Sequence, residues 1–119
     1  MALFTNITPT DKNYNPLINV GVQTHGPSGL PIDAAERKAI PMFTGCFNYF
    51  PKALAGVAKL SLKGGVQHGQ EPKDLHWDKT KSMDHLDCLV RHIMDEDWDA
   101  VCWRALAHYE MMLDKENTL

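Results

Sequence analysis

The chain carries no excess of positive charge. Twelve Lys and Arg stand against fifteen Asp and Glu, a formal net charge of −3 over 119 residues. Binding to duplex DNA or RNA normally needs a basic face, so no duplex nucleic-acid partner is expected. No apolar run approaches the length of a membrane span. The opening Met-Ala-Leu-Phe-Thr-Asn lacks the basic and apolar regions of a secretory signal, so a cytoplasmic protein with no membrane partner is expected. Cysteine is scarce. Cys46, Cys88 and Cys102 form no CxxC pair, which argues against a zinc ribbon or a disulfide framework and for a reducing compartment. All three read as small, semi-buried side chains. A Walker A loop, a GxGxxG turn and a GxSxG elbow are absent as well.

What is present is helical. Hydrophobic residues at 44% and charged residues at 23% are ordinary globular values. Residues 1–30 are rich in Asn, Thr, Gly and Pro, with a short strand signal at Ile18–Val22 and turn chemistry from Thr24 to Gly29; they read as an extended arm. Residues 31–119 read as one all-α domain of about four helices, a small bundle completed by oligomerisation. Asp33 and Glu36 have the spacing of a capping box, and Pro41 ends the first helix. Pro51 opens a second, in which Leu54, Val57, Ala58, Ser61 and Leu62 share a face and which Gly64-Gly65 is expected to stop. A polar connection, residues 66–80, leads to a third helix from Thr80 or Ser82 to Asp95, with Leu86, Leu89, Val90 and Ile93 as its apolar stripe. Asp97 is placed to cap the fourth, where Trp98, Val101, Cys102, Ala105, Tyr109 and Met112 share a face and Ala100 and Ala107 lie roughly opposite. The last six residues are expected to fray.

The third helix carries the most chemistry. At about 100° per residue from Asp84, Asp87 falls at about 300°, Arg91 at about 340° and Asp95 at about 20°. These four make one face, and His85 and His92 align on its flank. Carboxylates gathered in a partly closed site raise a pKa or demand a cation, and Mg²⁺ takes one or two carboxylates together with phosphates. In water the same stripe is only a solvated helix face, and both readings stand at this point. The preceding loop adds His76, Trp77, Lys79 and Lys81. Trp77 could stack on a base and the lysines could meet phosphate, or Trp77 could plug the core and tie the loop down.

From Arg37 to Met112 the order of short pieces resembles the phage and bacterial dATP/dGTP diphosphohydrolase N-terminal domain, a relative of the all-α MazG-like nucleotide pyrophosphohydrolases. The pieces are Arg37-Lys38 with Pro41, Phe50-Pro51 with Ala53-Leu54, Lys63-Gly64-Gly65 with Gln67-His68-Gly69, His76-Trp77, Asp87 to His92, Glu96-Asp97, and Trp103 to Leu106. The resemblance implies an all-α homo-oligomer in the bacterial or infected-cell cytoplasm that splits purine deoxynucleoside triphosphates into dNMP and pyrophosphate with Mg²⁺ or Mn²⁺. In that reading Asp84 and Asp87 are catalytic and hold metal with Asp95. Arg91 and Lys79 or Lys81 neutralise phosphate, and His76, Trp77 and His92 line the substrate site. One departure matters. MazG-like enzymes place an ExxE pair on the preceding helix, whereas residues 51–63 here contain no carboxylate. The alternative is a non-catalytic phage protein that sequesters a nucleotide signal of host defence.

Overall fold

Asp33 caps its helix as its spacing requires: its Oδ2 accepts the backbone N–H of Glu36 at 3.0 Å, and helix α1 follows over Ala34–Lys38. The computed structural model describes residues 25–116. The strand expected at Ile18–Val22 lies outside them. Four α-helices and no named strand occur among the described residues. After α1 come a π-helical turn at Phe43–Phe47, α2 at Pro51–Gln67, a 3-10 turn at Pro72–Asp74, α3 at His85–Met94 and α4 at Trp98–Glu116. None of these helices is long and apolar enough to cross a membrane.

The described residues divide into two compact units, one ending at Pro41, the other running from Met42 to Lys115. In the first, the expected turn is present: Gly29 takes a positive φ of 80°, its N–H reaches the Gly26 carbonyl at 3.0 Å, and a single bridge joins His25 to Pro31.

The second unit holds the other three helices, and several boundaries differ from expectation. Helix α2 begins at Pro51 as expected but runs through Gly64-Gly65 to Gln67; the glycine with positive φ is Gly69. Gly65 is needed for another reason. A Cβ there would collide with the Leu75 side chain and sit 2.9 Å from Gln70 Oε1. That same Gln70 oxygen accepts the N–H of His76 at 3.1 Å, so the close approach fastens the following loop onto α2. Gly64 has open space around its Cβ position. Replacing Gly64 with Ala is therefore expected to stabilise the unit by up to about 1 kcal/mol through helix propensity. Gly65→Ala is expected to lose that gain and destabilise by about 1 kcal/mol or more through overpacking. Urea midpoints of the two variants, compared with wild type, check both.

Helix α3 starts later than expected, at His85, so Asp84 is its N-cap and Lys81 and Ser82 belong to the loop. Helix α4 persists through Glu116, where fraying was expected from Asp114; Asp114 is held by Lys79 at 2.7 Å. The Asp97 carboxylate lies 3.5 Å from His92 Nδ1, while its backbone carbonyl accepts the Val101 N–H.

The buried faces also differ. On α4, Ala100 and Ala107 are buried and Trp103, Arg104 and Met111 half-buried, whereas Trp98, Cys102, Ala105, Tyr109 and Met112 are exposed. On α3, His85 is buried and Cys88, Leu89 and His92 half-buried, whereas Leu86, Val90 and Ile93 are exposed. Both helices thus turn inward the side that carries their hydrogen-bonding aromatics and small residues. Apolar periodicity finds a face, but polar anchors and the close approach that alanine permits decide which face meets the neighbour.

Candidate functional site

The inward faces meet at Trp103. From α4 its indole Nε1–H donates to Ser61 Oγ of α2 at 2.8 Å. Its ring meets Trp77 edge-on at 5.4 Å between centroids and lies 6.2 Å from the His85 ring. Trp77 closes the triangle at 6.1 Å from His85. Both Trp77 contacts are edge-to-face and the Trp103–His85 pair is tilted, all at separations in the favourable range for aromatic pairs. Loop, α2, α3 and α4 are thus joined by three aromatic rings and one hydroxyl.

Arg104, the neighbour of Trp103, extends this node toward solvent. Its guanidinium lies 5.4 Å from the Trp103 ring centroid and donates to His85 Nδ1 at 3.0 Å and to Ser82 Oγ at 3.1 Å. A guanidinium only donates, so Nδ1 is the acceptor and the neutral ring carries its proton on Nε2. That Nε2 is buried without a hydrogen-bond partner. Burial, and next the Arg104 charge, push the His85 pKa below its ordinary value, with Asp84 opposing them.

Ser82 passes the network to Asp84. Its hydroxyl donates to Asp84 Oδ1 at 2.9 Å, the Cys88 thiol donates to Oδ2 at 3.5 Å, and Arg91 approaches that oxygen at 3.6 Å. Arg91 also donates to Cys88 Sγ at 3.2 Å. The Ser82 bond, then the Cys88 bond, hold the Asp84 carboxyl below its ordinary range. On the far side of the node, Lys79 reaches over the Trp77 ring at 5.2 Å while bonded to Asp114, whose hydrogen bond raises the lysine's pKa.

The structure therefore brings Trp77, Lys79, Asp84 and Arg91 into one connected line through Trp103, His85, Arg104 and Ser82. It gathers the other expected residues less closely. His76 is exposed and turned to its own loop, with Nδ1 2.9 Å from the Asp74 carbonyl and Nε2 3.5 Å from Gln70 Nε2. His92 faces Asp97, and Lys81, Asp87 and Asp95 are exposed outside the line. Among the described residues, no three His, Cys, Asp or Glu side chains are grouped to hold a metal ion. Asp84, Asp87 and Asp95 are therefore not grouped as a protein-made cage for Mg²⁺ or Mn²⁺. All three cysteines are free, and Cys102, expected to be semi-buried, is exposed.

Sequence reasoning passed over Ser61, Ser82 and His85 as site residues and left Trp103 and Arg104 unassigned. The available signal was that Trp103-Arg104 falls off the apolar face of its helix while His85 flanks the carboxylates of the other.

No protein-family model, curated protein or solved structure matches the chain.

Proposed function

We propose that the second unit binds a purine nucleotide and holds it without cutting it. The observation that carries this reading is the connected line of Trp77 with three cations, Lys79 of the loop, Arg104 of α4 and Arg91 in the last turn of α3. An indole presents a face on which a base can stack, and guanidinium and ammonium groups receive phosphate oxygens. Arg91 and Lys79 are partly exposed and are paired with surface carboxylates. Such pairs contribute little, so exchanging them for phosphate costs little.

Cleavage to dNMP and pyrophosphate is the competing expectation. It would need carboxylates free to hold a divalent cation against the phosphates. That no three such side chains are grouped among the described residues favours retention over cleavage. A thermal-shift series with each dNTP, with and without Mg²⁺ or Mn²⁺, tests the reading. A purine nucleotide at about 100 times its Kd stabilises the native state by about 2.7 kcal/mol. Arg91→Gln is expected to weaken that binding several-fold. Nucleotide recovered intact from the heated complex supports sequestration, and released pyrophosphate sinks it. No shift with any nucleotide overturns binding altogether.

A further inference from the structure

Helix α4 has a second face that the node does not use. Trp98, Cys102, Ala105, Tyr109 and Met112 are spaced 4, 3, 4 and 3 residues apart, the alternation of a coiled-coil seam. All five are exposed, with Trp98 at 59%, Tyr109 at 36% and Met112 at 48%. At about 100° per residue the seam is centred roughly 180° from the inward face of Ala100, Trp103, Ala107 and Met111. The helix is therefore gripped on one side and bare on the other, with no charged residue at any seam position.

We propose that this seam is a self-association surface on which the α4 of a second copy packs antiparallel, with Cys102 and Ala105 at the centre. Three observations favour a second copy. First, the seam is self-complementary. Its centre is small and its ends are large, so reversing one copy lays Trp98 alongside the partner's Tyr109 and Met112 while the backbones close together at Ala105. Such a patch suits an isologous two-fold contact. Second, its size is sufficient. Half-exposed Trp, Tyr, Met and Leu106 offer on the order of 500 Å² of apolar surface per copy, and a polar rim completes the roughly 800 Å² per partner of a standard interface. Third, the chain needs the burial: among the described residues, the buried core apolar side chains are Ala100 and Ala107 alone. The antiparallel sense follows from charge. Asp95, Glu96, Asp97 and Asp99 crowd one end of α4 and are all exposed. Parallel packing would double that cluster at one end and align two helix dipoles, whereas antiparallel packing separates both.

The test is sedimentation equilibrium of the full chain with cysteine cross-linking. Wild type is expected to be dimeric at about 10–100 μM, and Tyr109→Glu to weaken the dimer at least tenfold with its helical circular dichroism retained. Because Tyr109→Glu could perturb folding, Ala105→Cys supplies an independent readout. Under mild oxidation it is expected to cross-link well above the wild-type background, and Met112→Cys is not. A wild-type chain that stays monomeric at about 100 μM overturns the proposal, whether residues 1–24 or another protein covers the seam. Cross-linking by both cysteine variants overturns the antiparallel arrangement.

Discussion

Trp103→Ala is expected to cost the second unit about 3 kcal/mol, the lower end of the range for removing a large aromatic from a core, because the ring is half-buried. Three losses combine. The Ser61 hydroxyl loses its indole donor at 2.8 Å, the ring contacts to Trp77 and His85 vanish, and Arg104 loses the ring beneath it. A domain of this size has only about 5 kcal/mol to spare, so about 2 kcal/mol is expected to remain and the unfolded fraction to rise to a few per cent. Trp103→Phe separates the terms. It keeps a ring and loses the N–H, so it is expected to cost about 1–2 kcal/mol, with Ser61→Ala giving a similar loss. The double variant should then be less destabilised than the two singles added together, since both remove one hydrogen bond. Urea unfolding at pH 7 reads all four. A Trp103→Ala chain within about 1 kcal/mol of wild type would show that α2, α3 and α4 are not held at this node.

The elements of this node were legible to different degrees in the sequence. Local chemistry read well. The Asp33 cap, the turn before Leu30, the proline at the start of α2 and the number of helices all follow from short-range rules, and each is present. The glycine pair misled because glycine has two uses. At Gly65 it serves close approach to Leu75, and the left-handed turn falls four residues later at Gly69. The helix faces misled for a related reason. Trp98, Tyr109 and Met112 make the stronger apolar pattern, yet α4 turns toward α2 and α3 the side bearing Trp103, whose N–H finds a hydroxyl 42 residues away. No periodicity in one helix reveals a partner that distant. The candidate site follows the same rule. Asp84 and Arg91 share a local stretch and do meet, whereas their link to Trp77 runs through Arg104 of another helix.

Lowering the pH from 7 toward 5 is expected to destabilise the protein, with His85 as the responsible group. The ring is 3% exposed, accepts from Arg104 through Nδ1 and leaves Nε2–H without a partner. Protonation would place a proton on the nitrogen that now accepts, breaking the Arg104 bond and setting a cation against a guanidinium in a buried site. The groups that act on it are Arg104 and His108 from α4, which oppose protonation, and Asp84 before α3, which favours it. The net direction is down, so below the ordinary value of 6.5 the unfolded chain binds a proton that the folded chain refuses. The stability is fully present above 6.5 and is lost progressively as pH falls through that value toward the lower folded pKa. Asp78 and Asp84 act in a separate window. Both are held below the ordinary 3.8, so their contributions are lost only as pH falls below it. Between about pH 6.5 and 4 the part of the slope of melting temperature on pH that disappears on replacing His85 is its contribution. His85→Gln, which cannot take up a proton, is expected to flatten that slope whatever its effect on stability at pH 7. Arg104→Gln keeps a donor near Nδ1 but removes the charge, so it is expected to make the slope shallower without abolishing it, since burial is the larger cause. An unchanged slope in His85→Gln would assign the acid sensitivity to another group.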